Sequence, residues 1–285
     1  MDVNTLTLNS SGYPQNLADI HSPPKQIYWS GVAPSDWIDR PKVAIVGSRK
    51  ASPYGRAVTT KLATELAEHG VVIISGLAFG IDVYAHQAAL AAGGTTVAVL
   101  GTGLDQIYPA AHVHIAHQIT ENGTLISEYG PVTAGFKSNF IARNRLVSGL
   151  ADVLLITEAA VNSGSLHTAR FALEQGKTVM AVPGNINSPT SEGCNNLIKS
   201  GALPVTGSDD IFFALGLDPQ NKPQRAVRGT KDEQLVFDFI KDGVCAQEDL
   251  VSASRLAGPE LASVLTMLEI SGHIRPAGSG NWVVS

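Results

Sequence analysis

Five stretches of this sequence place glycine, serine and charge directly after a short apolar run. Gly47-Ser48-Arg49 follows Val43–Val46, and Ser75-Gly76-Leu77-Ala78-Phe79-Gly80-Ile81-Asp82 follows Val71–Ile74. Gly101-Thr102-Gly103-Leu104-Asp105 follows Thr96–Leu100, and Ser127-Glu128 follows Thr124–Ile126. Thr157-Glu158 follows Val153–Ile156, with Asn162-Ser163-Gly164-Ser165 a few residues on. Glycine and serine at a strand-to-helix turn leave backbone N–H groups open, and the next helix adds its positive dipole end. That combination binds phosphate. In any one turn the glycine simply permits tight geometry. Several such turns along one edge suit an extended phosphodiester as well as a single nucleotide.

Four cations accompany these turns: Arg49, Lys137, Arg143 and Arg145. A helix is expected over Phe140–Leu150, which puts Arg143 and Arg145 in its opening turns. Cations there point to an anionic ligand, because a helix N-terminus already favours negative charge. Lys137 with Phe140-x-x-Arg143-Asn144-Arg145 interleaves cations with an aromatic ring, a pattern suited to single-stranded nucleic acid. The competing reading for each arginine is an internal ion pair with Glu128, Asp152 or Glu158.

Other chemistries fit less well. The G-x-G-x-x-G of a dinucleotide site is absent after the first strand, and Gly101-Thr102-Gly103 does not complete it. No G-x-x-x-x-G-K-[ST] phosphate loop occurs. His86 stands four residues after Asp82 and is expected to make a structural hydrogen bond. His112, His114 and His117 cannot all share one helix face, so a zinc site is not expected. Glu128 and Glu158 are the carboxylates available for acid–base work, and no Ser-His-Asp or Cys-His arrangement follows from the spacing.

The elements that position these residues alternate. After Val43–Val46, helical periodicity runs from Pro53 to His69 and stops at Gly70. Further helices are expected over Ile81–Ala92, Ala110–Glu121, Phe140–Leu150, Leu166–Gln175 and Asn195–Ser200. Strands are expected over Val71–Ile74, Thr96–Leu100, Thr124–Ile126, Val153–Ile156, Thr178–Val182 and Leu203–Val205. This order predicts an α/β fold: a Rossmann-like, doubly wound, mostly parallel sheet over residues 42–217. Residues 1–41 read as an irregular lead-in with one short strand at Gln26–Trp29. Residues 218–230 read as a linker.

Residues 231–285 form a different unit. Three helices, Asp232–Lys241, Glu248–Ser254 and Pro259–Ser271, precede a hairpin around Ala277-Gly278-Ser279-Gly280, the order of a winged helix. Its third helix carries Glu260 and Glu269 and no Lys or Arg, which argues against tight duplex binding.

Of the 285 residues, 44% are hydrophobic and 16% charged, which excludes disorder. The net charge of −5 excludes a uniformly basic DNA binder. It is unevenly spread: residues 231–285 hold 4 basic against 8 acidic residues, so the rest of the chain is nearly neutral, 16 against 17. Two distant cysteines, Cys194 and Cys245, exclude a disulfide framework and fit a reducing compartment. The start, Met1-Asp2-Val3-Asn4, lacks signal-peptide character, and no apolar run approaches the roughly 18 residues of a membrane span. A cytoplasmic protein without membrane insertion is expected.

The turns together resemble the DNA-processing protein A family (DprA/Smf). The resemblance rests on Val43-Ala44-Ile45-Val46-Gly47-Ser48-Arg49 and Ser75-Gly76-Leu77-Ala78-x-Gly80-Ile81-Asp82-x-x-Ala85-His86. It continues through Phe140-x-x-Arg143-Asn144-Arg145, Ser163-Gly164-Ser165-Leu166-x-Thr168-Ala169, Ala181-Val182-Pro183-Gly184 and Gly193-Cys194-Asn195. It runs in order from about Tyr13 to Thr206. Ile141 after Phe140 and Lys177 after Gly176 depart from the family's usual Phe-Pro and Gly-Arg. The sterile-alpha-motif-like domain that opens many members has no room here.

The resemblance implies a homodimer that binds single-stranded DNA without catalysis, cofactor or metal. It implies protection of incoming DNA in natural transformation and loading of the RecA recombinase. By motif match, Ser48, Arg49, Lys137, Phe140, Arg143, Asn144 and Arg145 are the expected DNA contacts. Gly76 and Ser163, Gly164 and Ser165 would supply phosphate donors. Two alternatives stand beside this. One is a Rossmann-like nucleotide phosphoribohydrolase using Glu128 or Glu158; that class usually carries Pro-Gly-Gly-x-Gly-Thr, whereas Pro183-Gly184 continues here as Asn185-Ile186. The other is a duplex-binding regulator acting through the winged unit.

Overall fold

The structure is a computed structural model, and it describes residues 2–219, 230–278 and 280–284. The chain divides into two units, Met1–Lys222 and Pro223–Ser285. Residues 220–229 of the expected linker lie outside the described residues.

The first unit is built on nine strands: β1 (Asn4–Thr7), β2 (Gln26–Gly31), β3 (Lys42–Val46), β4 (Val72–Ser75), β5 (Thr96–Leu100), β6 (Thr124–Ser127), β7 (Val153–Ile156), β8 (Thr178–Ala181) and β9 (Leu203–Pro204). Their helices are α1 (Gln15–Ala18), α2 (Pro53–Glu68), α3 (Ile81–Ala91), α4 (Val113–Asn122), α5 (Lys137–Leu150), α6 (Ser165–Glu174), α7 (Glu192–Lys199) and α8 (Ser208–Leu215). The sheet order is β1-β2-β6-β5-β4-β3-β7-β8-β9. Strands β3 to β9 run parallel, while β1 pairs with β2, and β2 with β6, antiparallel.

The parallel strands are short and apolar throughout because both faces are covered. Along β3, Val43 and Ile45 face one layer with α2, α3 and α8. Ala44 and Val46 face the other, with α1, α5, α6 and α7. A period of two sorts the residues between the layers. The chain builds β3 to β6 outward on one side, then crosses back through α5 to lay β7, β8 and β9 on the other. The order therefore reverses beside β3, which makes the carboxyl ends of β3 and β7 the place where such sheets bind ligands.

Three differences from the sequence expectation matter. The lead-in is more regular than expected: besides the expected strand, found as β2, it supplies β1, and the two extend the sheet beyond residues 42–217. Strand β1 reads Asn-Thr-Leu-Thr and stays largely exposed at the sheet edge, so it carries no apolar run to announce it. Helix α5 begins at Lys137, one turn before the expected Phe140, because its first turn Lys137-Ser138-Asn139 is polar. Arg143 and Arg145 therefore lie in its interior. Helix α8 was not anticipated at all.

The second unit holds α9 (Lys231–Lys241), α10 (Gln247–Ser254) and α11 (Gly258–Ile270), followed by strands β10 (Ile274–Gly278) and β11 (Asn281–Val284), which pair antiparallel. It has its own core of Val236, Phe237, Ile240, Leu250, Leu261, Leu265, Leu268 and Ile274. Leu235 and Ile270 lie outside that core, exposed at 40% and 75%. Among the described residues no helix is long and apolar enough to cross a membrane.

Candidate nucleic-acid interface

A cleft of about 970 Å³ opens over the carboxyl ends of β3 and β7. The turn after β3 brings Ser48, Arg49 and Lys50 to its rim, and α5 brings Lys137, Phe140, Arg143 and Asn144. The connection before α6 brings Asn162, Ser163, Gly164 and Ser165. Nine of the expected residues thus meet in one cavity. Gly76 borders a smaller adjoining hollow with Arg49, Phe140 and Arg143. Arg145 borders neither.

The cations divide by burial. Arg49, Lys50 and Lys137 are exposed. None of them takes part in the ion pairs found among the described residues, which join Lys42 to Asp152, Lys61 to Glu65, Arg145 to Glu128 and Arg170 to Glu174. Lys137 opens α5, which begins without a side-chain cap, so its first N–H groups add to the positive field at the cleft. Ser163 Oγ lies 2.8 Å from Ser165 Oγ and accepts the Ser165 N–H at 3.4 Å.

Arg143 is only 4% exposed, and its guanidinium is committed inward. Nη1 donates to the carbonyls of Gly76 at 2.7 Å and of Val99. Nε donates to Asn144 Oδ1 at 3.2 Å. Burial lowers its pKa to about 10, against the opposing pull of Asp82, so it stays charged at neutral pH. Asp82 is itself 6% exposed and accepts the Gly76 N–H at 3.1 Å. Burial raises the Asp82 pKa; Arg143, the N–H groups of Gly76 and Ala78, and Arg49 hold it down. Asp82 and Arg143 thus clamp the turn after β4 from both sides.

Two expected roles are corrected here. The Gly76 N–H points at Asp82 rather than at the cleft, so it is no free phosphate donor. Gly76 is needed for a different reason: a Cβ there would stand 2.6 Å from Arg143 Nη2. Arg145 turns away and holds Glu128 with two nitrogens, at 2.8 and 2.7 Å, and the Ser22 carbonyl at 3.2 Å. For this arginine the internal ion pair is the geometry found.

The aromatic component is larger than the sequence suggested. The Phe140 ring lies 5.1 Å from that of Tyr108, and a Cβ on Gly101 or Gly135 would strike Phe140 at 2.7 or 2.8 Å. Tyr108 is 53% exposed and Phe79 47%, and both border the smaller hollow beside Arg49. Phe79 packs edge-on against His112 at 4.9 Å. Large apolar residues in the turns after β4 and β5 were the signal that could have singled them out.

The carboxylates considered for catalysis are both tied down. Both Glu128 oxygens meet Arg145. Glu158 is buried, and its oxygens accept the Ser52 N–H at 2.8 Å and the Ser52 hydroxyl at 2.5 Å. Among the described residues no three His, Cys, Asp or Glu side chains gather as a metal would require.

His86 is fully buried and makes the structural bond expected of it: Nδ1–H donates to Thr96 Oγ1 at 2.7 Å, and that hydroxyl donates to the Ile73 carbonyl at 2.7 Å. Burial drops its pKa from 6.5 to about 3. Below pH 6.5 the unfolded chain takes up a proton that the folded chain refuses, so stability falls as pH falls through that window. The slope from this one group is about 1.4 kcal/mol per pH unit. Between pH 7.5 and 5.0 the wild type is expected to lose about 2 kcal/mol that His86→Gln retains. Denaturant melts at both pH values check this; equal losses in the two proteins would refute it.

The chain is similar to proteins of one family across both units. The model of the DNA recombination-mediator protein A family matches residues 4–216, and the DprA winged helix domain matches residues 218–280. The DNA processing protein DprA of Streptococcus pneumoniae is 43% identical over 200 residues, 70% of either chain. Protein Smf of Escherichia coli is 39% identical over 250 residues, covering 84% of this chain and 67% of that one. The crystal structure of the S. pneumoniae protein superposes with a TM-score of 0.71 at 41% identity, over 74% of this chain and 73% of that one. The DNA processing protein A of Helicobacter pylori, solved to describe its single-stranded DNA binding mode, gives 0.67 at 35% identity, over 75% of this chain and 95% of that one. With the family model spanning nearly all of the nine-stranded unit, the chain belongs to the DNA recombination-mediator protein A family.

Proposed function

We propose that this protein binds single-stranded DNA in the cleft over β3 and β7, without chemistry. The observation that carries this reading is the juxtaposition of exposed Arg49, Lys50 and Lys137 with exposed Tyr108 and Phe79 and the ring of Phe140. Cations meet phosphates while rings accept unstacked bases. A duplex hides its base faces and gains nothing from the rings. Ser48, Asn144 and the Ser163-Gly164-Ser165 turn would add neutral donors, whereas Arg143 and Gly76 shape the floor. The occupied state of Glu128 and Glu158 supports binding rather than hydrolysis.

The recombination-mediator description of the family supports handing the coated strand to RecA, in keeping with protection of incoming DNA in natural transformation. A homodimer is in keeping with exposed apolar side chains such as Leu203 in the edge strand β9, at 47%, and Phe213 in α8, at 87%. The two cysteines, both unpaired, fit action in the cytoplasm. The winged unit does not lead the reading, since α11 offers two carboxylates and no cation to a groove.

The test is a comparison of single strand and duplex of the same sequence across salt. Single-strand affinity is expected to exceed duplex affinity by at least about tenfold and to fall steeply with salt, by roughly 0.7 log units per log unit for each phosphate neutralised. Equal affinities, or release of a nucleobase from a nucleotide monophosphate, would overturn it.

A further inference from the structure

A second hollow of about 470 Å³ lies beyond the cleft, between the start of α2 and the loop after β8. Its lining starts within a few residues of the cleft's along the chain. Gly47 to Lys50 border the cleft, and Ser52 and Tyr54, a few residues on, border the hollow. Ala160 borders the cleft and Glu158 the hollow.

The lining states what fits. It contains no Lys or Arg, and it contains the Glu158 carboxylate. A phosphate is therefore disfavoured. The neutral polar groups of Asn185, Ser188 and Thr190 suit the hydrogen-bonding edge of a flat heterocycle. Tyr54 supplies the face. Tyr54 is 48% exposed, and its hydroxyl donates to the Pro183 carbonyl at 2.8 Å, which holds the ring in place. The loop after β8 is held as well: Gly184 and Asn195 exchange two hydrogen bonds at 3.1 Å, and a Cβ on Gly184 would strike Ser191 Oγ at 2.2 Å. An exposed ring held in place beside neutral donors and acceptors is a preformed stacking site.

We propose that this hollow seats a nucleobase of the bound strand, stacked on Tyr54, one step beyond the phosphate-binding cleft. The inference rests on the single-strand reading and lengthens it: the site binds phosphates over β3 and a base between α2 and β8.

The experiment measures the affinity of the full chain for oligothymidylates from about 4 to about 16 nucleotides. Wild type, Tyr54→Ala, Tyr54→Trp and Arg49→Ala are compared, with a thermal melt of each. Tyr54→Ala is expected to match wild type on the shortest strands and to lose about five- to hundredfold on the longest. Tyr54→Trp is expected to keep long-strand affinity. One abasic nucleotide at the responding position is expected to erase the difference between wild type and Tyr54→Ala. A Tyr54→Ala protein that binds every length like wild type, or loses equally on all lengths, overturns the proposal. So does a response to free thymidine monophosphate without a length effect. Arg49→Ala is expected to lose at all lengths; if it does not, the single-strand reading itself fails, and the two failures are told apart.

Discussion

Replacing Arg143 by alanine is expected to destabilise the large unit by about 3–5 kcal/mol, a drop of roughly 6–20 °C in Tm, and to remove strand binding with it. The cause lies beneath the cleft. Without the guanidinium, Asp82 keeps a buried carboxylate with its nearest positive partner gone, and the carbonyls of Gly76 and Val99 lose their donor. Those groups belong to the turn after β4 and the end of β5, so the cleft floor loosens along with the fold. Arg143→Lys is expected to recover little, because a single ammonium nitrogen cannot reach both the two carbonyls held by Nη1 and the Asn144 Oδ1 held by Nε. Combining Arg143→Met with Asp82→Asn is expected to recover stability relative to Arg143→Ala, since it removes the stranded charge as well as its partner. Denaturant unfolding of the four proteins decides the matter. If Arg143→Ala melts like wild type yet binds poorly, Arg143 is a direct phosphate contact and not a strut.

Much of this arrangement was legible in the sequence, and the failures have physical causes. The parallel strands were readable because a strand buried on both faces is apolar at every position, and the helices between them stop at Gly70, Gly93 and Gly176. Those three glycines adopt positive φ at or near the helix ends. Strand β1 was not readable, because an edge strand carries little apolar content. The cleft was readable from the turns as a set. The division of labour among the arginines was not, since Arg143 and Arg145 are the same residue type two positions apart. Two positions on a helix turn the side chain by about 200°. Only one of them can therefore face the sheet floor, and burial, which the sequence does not print, decides that it is Arg143. Phe79 and Tyr108 escaped for the opposite reason: isolated aromatics in turns have no periodicity to report.

The acidic balance of the chain and its proposed ligand are compatible because charge acts locally. With a Debye length of about 8 Å at physiological salt, exposed charges act only over short distances, so a net charge of −5 does not preclude a cationic cleft. On the proposed reading, Arg49, Lys50 and Lys137 carry the association.

Arg49→Ala should accordingly lower single-strand affinity by about ten- to hundredfold while leaving stability within about 0.5 kcal/mol of wild type. Arg49 is exposed on the turn after β3, outside every ion pair listed above, yet close enough for its charge to act on Asp82 and Arg143. Removing it takes one cation from the phosphate path, so the slope of log affinity against log salt should shrink by about 0.7. Arg49→Ala combined with Lys137→Ala should shrink it by about 1.4. Arg49→Lys separates charge from shape: the slope should stay near wild type, while affinity falls by the lost two-pronged contact. Titrations at several salt concentrations read both quantities. An Arg49→Ala line parallel to wild type would mean that the residue meets no phosphate. The contrast with Arg143→Ala is what sorts the two arginines: one loses affinity with its fold intact, and the other loses both.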